Sequence, residues 1–316
     1  MVLDGVNDLI AFLTVARERS FTKAAAQMGV SQPALSRTLR KLEARLGVQL
    51  LTRSTRSVAP TDAGERLLES LGPHFDGIEA GLAELSELSG KPAGSLRITS
   101  LEHASATLLT PAVCGLMQDY PQISVEISDD YAMVDIVAER FDAGVRWGES
   151  VAKDMISVRI GPDFPMAVVG SPAYFERRPK PLTPHDLVAH TGINLRLPTS
   201  GGLWSWPFRK GKRELKVRPE GQVVGNSVAL ILDFALGGIG LAHLPEDVVA
   251  ESVAEGKLVR VLEDWCTTVT GYHLYYPSRR QLKPAFRLLL ERLRDQAAQT
   301  GMAHTERVNA ARKPRP

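Results

Sequence analysis

The 316-residue chain contains only two cysteines, Cys114 and Cys266. Neither falls in a CxxC or histidine-rich spacing, which excludes a disulfide framework and an ordinary zinc site. Lone thiols in apolar surroundings usually behave as small hydrophobes, so both are expected to be buried and inert. Nowhere do 18 uncharged apolar residues follow one another, so no membrane partner is expected. The opening MVLDGVNDLI lacks the basic stretch and apolar core of an export signal, which argues for the cytoplasm and against a secreted solute receptor. GxSxG, HExxH and Walker sequences are missing too. Residues 238–243, GIGLAH, begin like GxGxxG but end in His and follow a helical stretch, so a dinucleotide site fails. Residues 20–23, SFTK, have SxxK spacing without SDN or KTG. The reading is therefore of a non-enzyme with no cofactor and no metal.

Net charge is also scarce, +2 overall, but it is unevenly spread. Residues 1–60 carry nine Lys or Arg (Arg17, Arg19, Lys23, Arg37, Arg40, Lys41, Arg45, Arg53, Arg56) against four acids (Asp4, Asp8, Glu18, Glu43). That segment is +5, leaving −3 for the remainder. Positive charge gathered at one end of a near-neutral chain suits one polyanion-binding module, because phosphate neutralisation drives the sequence-independent part of DNA affinity. With 44% hydrophobic residues the rest can bury sizeable cores, in two or three units.

The basic end is organised around SFTKAAAQMGVSQPALSRTLRKLEARLGVQLLTRSTRSVAP, residues 20–60. Ala24, Ala25 and Ala26 favour helix and let a second helix cross closely. Gly29 supplies a sharp turn. Ser31 is placed to cap the next helix, Pro33 fits its first turn, and Leu35, Leu39, Leu42 and Leu46 make a core stripe ended by Gly47. The opposite face offers Gln32, Ser36, Arg37, Arg40 and Lys41, short polar groups followed by long cations, as a major groove requires. Leu50 and Leu51 anchor a hairpin whose tip carries Arg53 and Arg56, suited to phosphates or the minor groove. Val6, Leu9, Leu13 and Ala16 mark a supporting first helix.

The small residues, the turn glycine, Ser-Gln-Pro-Ala-Leu-Ser, Leu-Glu and the Thr-Arg-x-x-Arg wing follow the order found in LysR-type transcriptional regulators, which the chain resembles from about Val6 to Arg294. The resemblance implies an α + α/β architecture. It consists of a winged helix-turn-helix domain over 1–60, a linker and dimerisation helix with hinge over 61–94, and a two-lobed effector-binding domain over 95–296 similar to periplasmic solute-binding proteins. It further implies DNA-bound homodimers paired through the linker helix, a homotetramer, an inverted-repeat promoter site, and a small effector of organic-acid or amino-acid-like kind.

The residues after the wing fit that outline. Thr61 caps a helix with Asp62 and Glu65 in its first turn, although Gly64 stands where a capping box would place Glu. Leu68, Leu71, Phe75, Ile78, Leu82, Leu85 and Leu88 form a near-heptad seam read as the dimer contact, and Pro73 should bend it near Glu69. SGKPAGS, residues 89–95, reads as a hinge. LRITS, ISVEIS, AGVRWG and PMAVVG are strand-like runs separated by helical stretches such as Met133 to Phe141, which predicts parallel α/β units. INLRL, LWSWPF, GQVVGNS, a helix from Val228 to about Leu236, and GIGLAHLP follow. TGYHLYYPS and a helix from Pro284 to Arg294 then return to the first lobe. The predicted lobes are I, about 95–165 with 269–296, and II, about 166–268, followed by a disordered tail over 297–316. Ligands in such folds meet strand ends and helix N-termini, which nominates Thr99, Ser100, His103, Arg146, Thr199, Ser200, Asn226 and Ser227 as effector contacts. Glu102 would oppose an anionic ligand unless its side chain turns away.

Overall fold

A computed structural model describes residues 5–53, 58–88, 92–148, 155–196, 202–278 and 282–311. The chain divides into two compact units, Met1–Leu85 and Ser86–Pro316.

In the first unit, α1 (Val6–Glu18), α2 (Phe21–Gln27) and α3 (Gln32–Leu46) surround a core of Phe12, Val15, Ala24, Leu35, Leu39 and Leu42. Ser20 caps α2 by accepting the Lys23 N–H at 3.3 Å, and Ser31 caps α3 by accepting the Ala34 N–H at 3.3 Å. Gly29 adopts φ 65° in the turn between them, a left-handed conformation that glycine takes without the Cβ penalty. β1 (Leu51–Arg53) and β2 (Val58–Pro60) form the antiparallel wing, and α4 (Asp62–Leu88) follows. Thr61 accepts the Gly64 N–H at 3.1 Å while donating to the Gln49 carbonyl at 2.7 Å. Gly64 is required where a capping box would have Glu, because a Cβ there would lie 2.1 Å from the Leu50 carbonyl oxygen.

The stripe of α4 is divided between two surroundings. Leu68, Leu71 and Phe75 pack into the core of their own unit, whereas Ile78 and Leu82 are 58% and 60% exposed. The expected seven-residue seam is thus corrected at its N-terminal end; the side chains of Leu85 and Leu88 lie outside the described residues. α4 runs through Pro73 as one helix. Leu46, expected in the core, is 46% exposed at the last turn of α3 and lines, with Val48, Leu50 and Leu67, a groove of about 620 Å³ beside α4.

After the end of α4 the described chain resumes at Pro92 and Ala93 and enters β3 (Gly94–Ser100); residues 89–91 of the expected hinge lie outside the described residues. The short α5 (Glu102–Ala104) leads through a π-helical turn, Ser105–Leu109, into α6 (Thr110–Asp119). β4 (Ile123–Asp129), β5 (Ala143–Trp147) and β6 (Met155–Arg159) complete the outward pass. The chain then crosses into a second lobe through β7 (Phe164–Gly170), α7 (Pro172–Phe175), β8 (Ile193–Leu195), β9 (Trp206–Lys210) and β10 (Arg213–Val217). That lobe continues with β11 (Val223–Gly225), α8 (Val228–Leu236), β12 (Ala242–Pro245), α9 (Glu246–Ala254), β13 (Val259–Val261) and β14 (Thr268–Val269). β15 (Tyr272–Pro277) and α10 (Pro284–Ala311) return to the first lobe.

The first-lobe sheet has the order β4-β3-β5-β15-β6. β4, β3 and β5 are parallel, but β15 runs antiparallel to both β5 and β6. The second lobe is built on antiparallel β12-β7-β13, with β8 and β11 parallel. The all-parallel expectation is therefore corrected, since a strand returning from the other lobe enters the sheet from the opposite direction. The first core gathers Leu96, Ile98, Leu109, Val145, Leu274 and Leu289; the second lobe has two clusters, around Ala167, Val169 and Ile231 and around Val168, Trp206 and Phe208.

Three further expectations are overturned. Met133 to Phe141 forms turns, not a helix: the Asp135 carboxylate takes the Val137 and Ala138 N–H groups at 2.9 and 3.0 Å, and Arg140 has φ 59°. Of the expected tail over 297–316, residues 297–311 continue α10 as helix, and residues 312–316 lie outside the described residues. Cys114 is exposed, since α6 turns Ala112, Val113 and Leu116 inward, and Cys266 is half-buried. Burial pushes the Cys266 thiol above its ordinary pKa.

Candidate functional site

The first candidate surface is the outer face of α3. Leu35, Leu39 and Leu42 are almost wholly buried, so the helix cannot rotate without removing them from the core, at roughly 1.5–3 kcal/mol each. That constraint sends Gln32, Pro33, Arg37, Arg40 and Lys41 to solvent, with Ser36 half-buried among them. The Arg40 guanidinium folds back on Ser36, donating to its hydroxyl at 3.3 Å and its carbonyl at 3.4 Å. The wing is tied to the same helix by Glu43, whose carboxylate accepts the Leu50 N–H at 2.9 Å and the Leu51 N–H at 3.2 Å. Arg45 pairs with Asp8 at 3.3 Å, bracing the far end of α3 against α1. Ser31, Gln32, Pro33, Ser36, Arg37, Arg40 and Lys41 therefore lie along one helix, with Ser31 acting as its cap. The Arg53 side chain and all of Arg56 lie outside the described residues. Sequence reasoning missed Glu43, although a Leu-Glu pair facing the next strand is the kind of signal that marks such an anchor.

The second candidate site is the cleft between the lobes of the second unit. β3, β4 and β5 all end there, and α5 sits directly after β3. Thr99 and Ser100 are completely buried. The Thr99 hydroxyl accepts from Arg146 at 3.1 Å, and the Ser100 hydroxyl donates to the Leu101 carbonyl at 3.2 Å. Arg146 is 6% exposed and also donates to the Val145 and Ala132 carbonyls, each at 2.8 Å. Burial lowers its pKa from the usual guanidinium value, opposed by nearby Asp130 and Asp129. The nominated arginine is thus a brace under the cleft floor, with its Nε bearing no partner among the described residues.

His103, 7% exposed, is held at both nitrogens, Nδ1 by the Tyr272 hydroxyl and Nε2 by Asp247 of the opposite lobe, both at 2.8 Å. Burial alone would raise the Asp247 carboxyl, but the His103 bond and charge together with backbone N–H groups hold it below its ordinary pKa. The side chain of Glu102 does not turn away from the cleft. It reaches the second lobe, where its carboxylate accepts the Ser227 hydroxyl at 3.1 Å and the Val228 N–H at 2.6 Å. Ser227 is also the N-cap of α8, accepting the Leu230 N–H at 3.3 Å, while Asn226 is exposed beside it. Tyr131 stands near this carboxylate; burial, then the charges of Glu102 and Asp129, raise its hydroxyl pKa. At the cleft edge the rings of Trp147 and Trp204 lie 5.5 Å apart. Thr199 and Ser200 lie outside the described residues. The cleft thus brings together Glu102, His103, Ser227, Asp247 and Tyr272, of which Glu102, Asp247 and Tyr272 were not nominated. Their partners are 125 to 169 positions away, too far for local spacing to reveal.

Among the described residues no group of His, Cys, Asp and Glu could hold a metal ion, and no helix is long and apolar enough to cross a membrane. Residues 6–65 match the family model described as a bacterial regulatory helix-turn-helix protein, lysR family, and residues 89–298 match the LysR substrate binding domain. The chain is 50% identical over 298 residues to the HTH-type transcriptional regulator PgrR of Escherichia coli, covering 94% of this chain and all of that protein. It is 34% identical to the HTH-type transcriptional regulator PtxR of Pseudomonas aeruginosa over 92% of both chains. Solved structures share its fold, two of them as follows. The Vibrio cholerae virulence activator AphB aligns with TM-score 0.63 at 21% identity, over 92% of this chain and 99% of that one. CrgA of Neisseria meningitidis aligns with TM-score 0.58 at 24% identity, over 92% and 98%.

Proposed function

The chain belongs to the LysR family of bacterial helix-turn-helix transcriptional regulators, and on that premise we propose that α3 is its recognition helix and the cleft of the second unit its effector site. It is a sequence-specific DNA-binding regulator, not an enzyme, with a DNA-binding module and an effector-binding domain. The observation that carries the finer reading is the outer face of α3, where polar tips near the N-terminus precede Arg37, Arg40 and Lys41 while the leucine stripe fixes the rotation. Gln32, Ser36 and Arg37 read base edges; Ser31, Arg40, Lys41 and the wing arginines Arg53 and Arg56 hold the backbone.

The domain limits we assign are 1–60 for the winged head, 61–94 for linker and hinge, and 95–296 for the effector domain. Dimers pair through the linker helix, supported by the exposure of Ile78 and Leu82, and place two recognition helices about 34 Å apart on an inverted repeat. Effector domains join two such dimers into a tetramer. A small organic acid or amino-acid-like metabolite enters the cleft near Ser227 and Asn226, where α8 presents its N-terminus, and shifts the balance between DNA-bound arrangements. Thr99 and Arg146 shape the floor beneath it.

Binding titrations on operator and random DNA at several salt concentrations test the DNA assignment. Arg37→Ala weakens operator binding by about 1–3 kcal/mol with little loss on random DNA, and Arg53→Ala mainly reduces the salt dependence. Equal losses on both DNAs for both variants would remove the base-reading role of Arg37. Genome-wide mapping of bound DNA then identifies the regulated promoters.

A further inference from the structure

α8 starts without a carboxylate of its own: its first turn, Val228-Ala229-Leu230, is apolar, and Ser227 is its N-cap. The negative charge that a helix start attracts arrives instead from the other lobe. Both oxygens of Glu102 are engaged there, one accepting the Ser227 hydroxyl at 3.1 Å and one the Val228 N–H at 2.6 Å, so an ionised carboxylate sits on the helix start. The next residue, His103, makes a second crossing to Asp247 in the first turn of α9. Two consecutive side chains of α5 thus grip the starts of two helices of the opposing lobe. The segment that carries them runs into the π-helical turn Ser105–Leu109, anchored by the Ser105 hydroxyl on Asp129 and by Thr107 on the His103 carbonyl. A π-helical turn is a local departure from α geometry that often accompanies functional positions.

We propose that Glu102 is an internal latch, a tethered carboxylate that holds the two lobes together across the cleft until an effector displaces it from Ser227 and Val228. The inference rests on the reading of the cleft as the effector site and adds the contact an effector must compete with. Glu102 is a positioning residue here, and the buried imidazole of His103 keeps α5 oriented toward both helix starts. Regulation follows from competition: opening the lobes costs the two Glu102 bonds and the His103–Asp247 bond together, so a ligand that takes over the start of α8 releases the latch at its strongest point.

Full-length Glu102→Ala protein tests this without any effector. Hydrogen exchange of the peptide spanning 226–232 becomes about tenfold faster than in the parent, because the Val228 amide loses its carboxylate acceptor at a helix start. The near-ultraviolet dichroism of the Trp147–Trp204 pair falls as the lobes separate. Acetate at tens of millimolar, a free copy of the missing carboxylate, restores slow exchange in the variant and leaves the parent unchanged. A merely structural role predicts no acetate rescue. Exchange within twofold of the parent, failure of acetate to restore it, or an equal acetate effect on both proteins would overturn the proposal. Should Glu102→Ala not fold, Glu102→Gln keeps the shape without the charge; exchange rising by a few-fold supports the latch, and parent-like exchange refutes it. Because no effector is added, a negative result leaves the cleft reading standing.

Discussion

His243 provides a stability test that can be worked through from its surroundings. It lies on β12 in the second lobe, stacked on Trp206 at 5.6 Å and edge-on to Phe208 at 5.9 Å, and among the described residues neither ring nitrogen has a hydrogen-bond partner. Burial disfavours the imidazolium and pushes its pKa down to about 3 from the ordinary 6.5. The unfolded chain therefore takes up a proton below pH 6.5 that the folded chain refuses until about pH 3. The associated stability is fully present above pH 6.5 and is lost progressively as pH falls toward 3. At about 1.36 kcal/mol per pH unit, this one residue removes about 2 kcal/mol of unfolding free energy between pH 7.5 and pH 5. Denaturant unfolding followed by tryptophan fluorescence at the two pH values measures that loss in the parent and in His243→Leu. The difference between the two losses cancels groups common to both proteins and should be about 2 kcal/mol. A difference below about 0.5 kcal/mol, or an imidazole proton signal of His243 that titrates near pH 6, would refute the reasoning.

Gly64→Ala places a Cβ against the Leu50 carbonyl and should destabilise the head by at least about 2 kcal/mol, read as a lower unfolding midpoint of the first transition. Glu43→Ala strips the acceptor from the Leu50 and Leu51 N–H groups, and is expected to cost about 1–3 kcal/mol in head stability and to weaken binding to operator DNA. Leu82→Asp introduces charge on the exposed part of α4, and sedimentation should show the dimer weakened by at least tenfold while circular dichroism stays unchanged. Asp247, with its pKa held down by His103 and backbone donors, adds stability that is present above the ordinary carboxylate range and lost as pH falls through its folded value. Asp247→Asn removes that part of the acid sensitivity, seen as a shallower decline of unfolding free energy below pH 4.

The head was legible in the residues because each of its determinants is local. A hydroxyl at Ser20 and at Ser31 caps the helix that follows it, Gly29 turns the chain, and leucines at helical spacing bury one face, so the opposite face of α3 is exposed by geometry alone. The strand runs LRITS, ISVEIS and AGVRWG, and the helix from Val228 to Leu236, were equally readable from β-branched content and from a capped apolar segment.

What a polar side chain does at the end of a strand was another matter. Thr99 and Arg146, which read as open contacts, satisfy each other beneath the floor, and Glu102, which read as an obstacle, spans the cleft. The direction of β15 and the division of the α4 stripe between core and solvent were likewise settled by neighbours distant in the chain. Helix caps and amphipathic faces depend on residues three or four apart, and the sequence carries that information directly. A buried polar group must find a partner wherever the fold brings one within about 3 Å, and that meeting is decided only when the two lobes are packed.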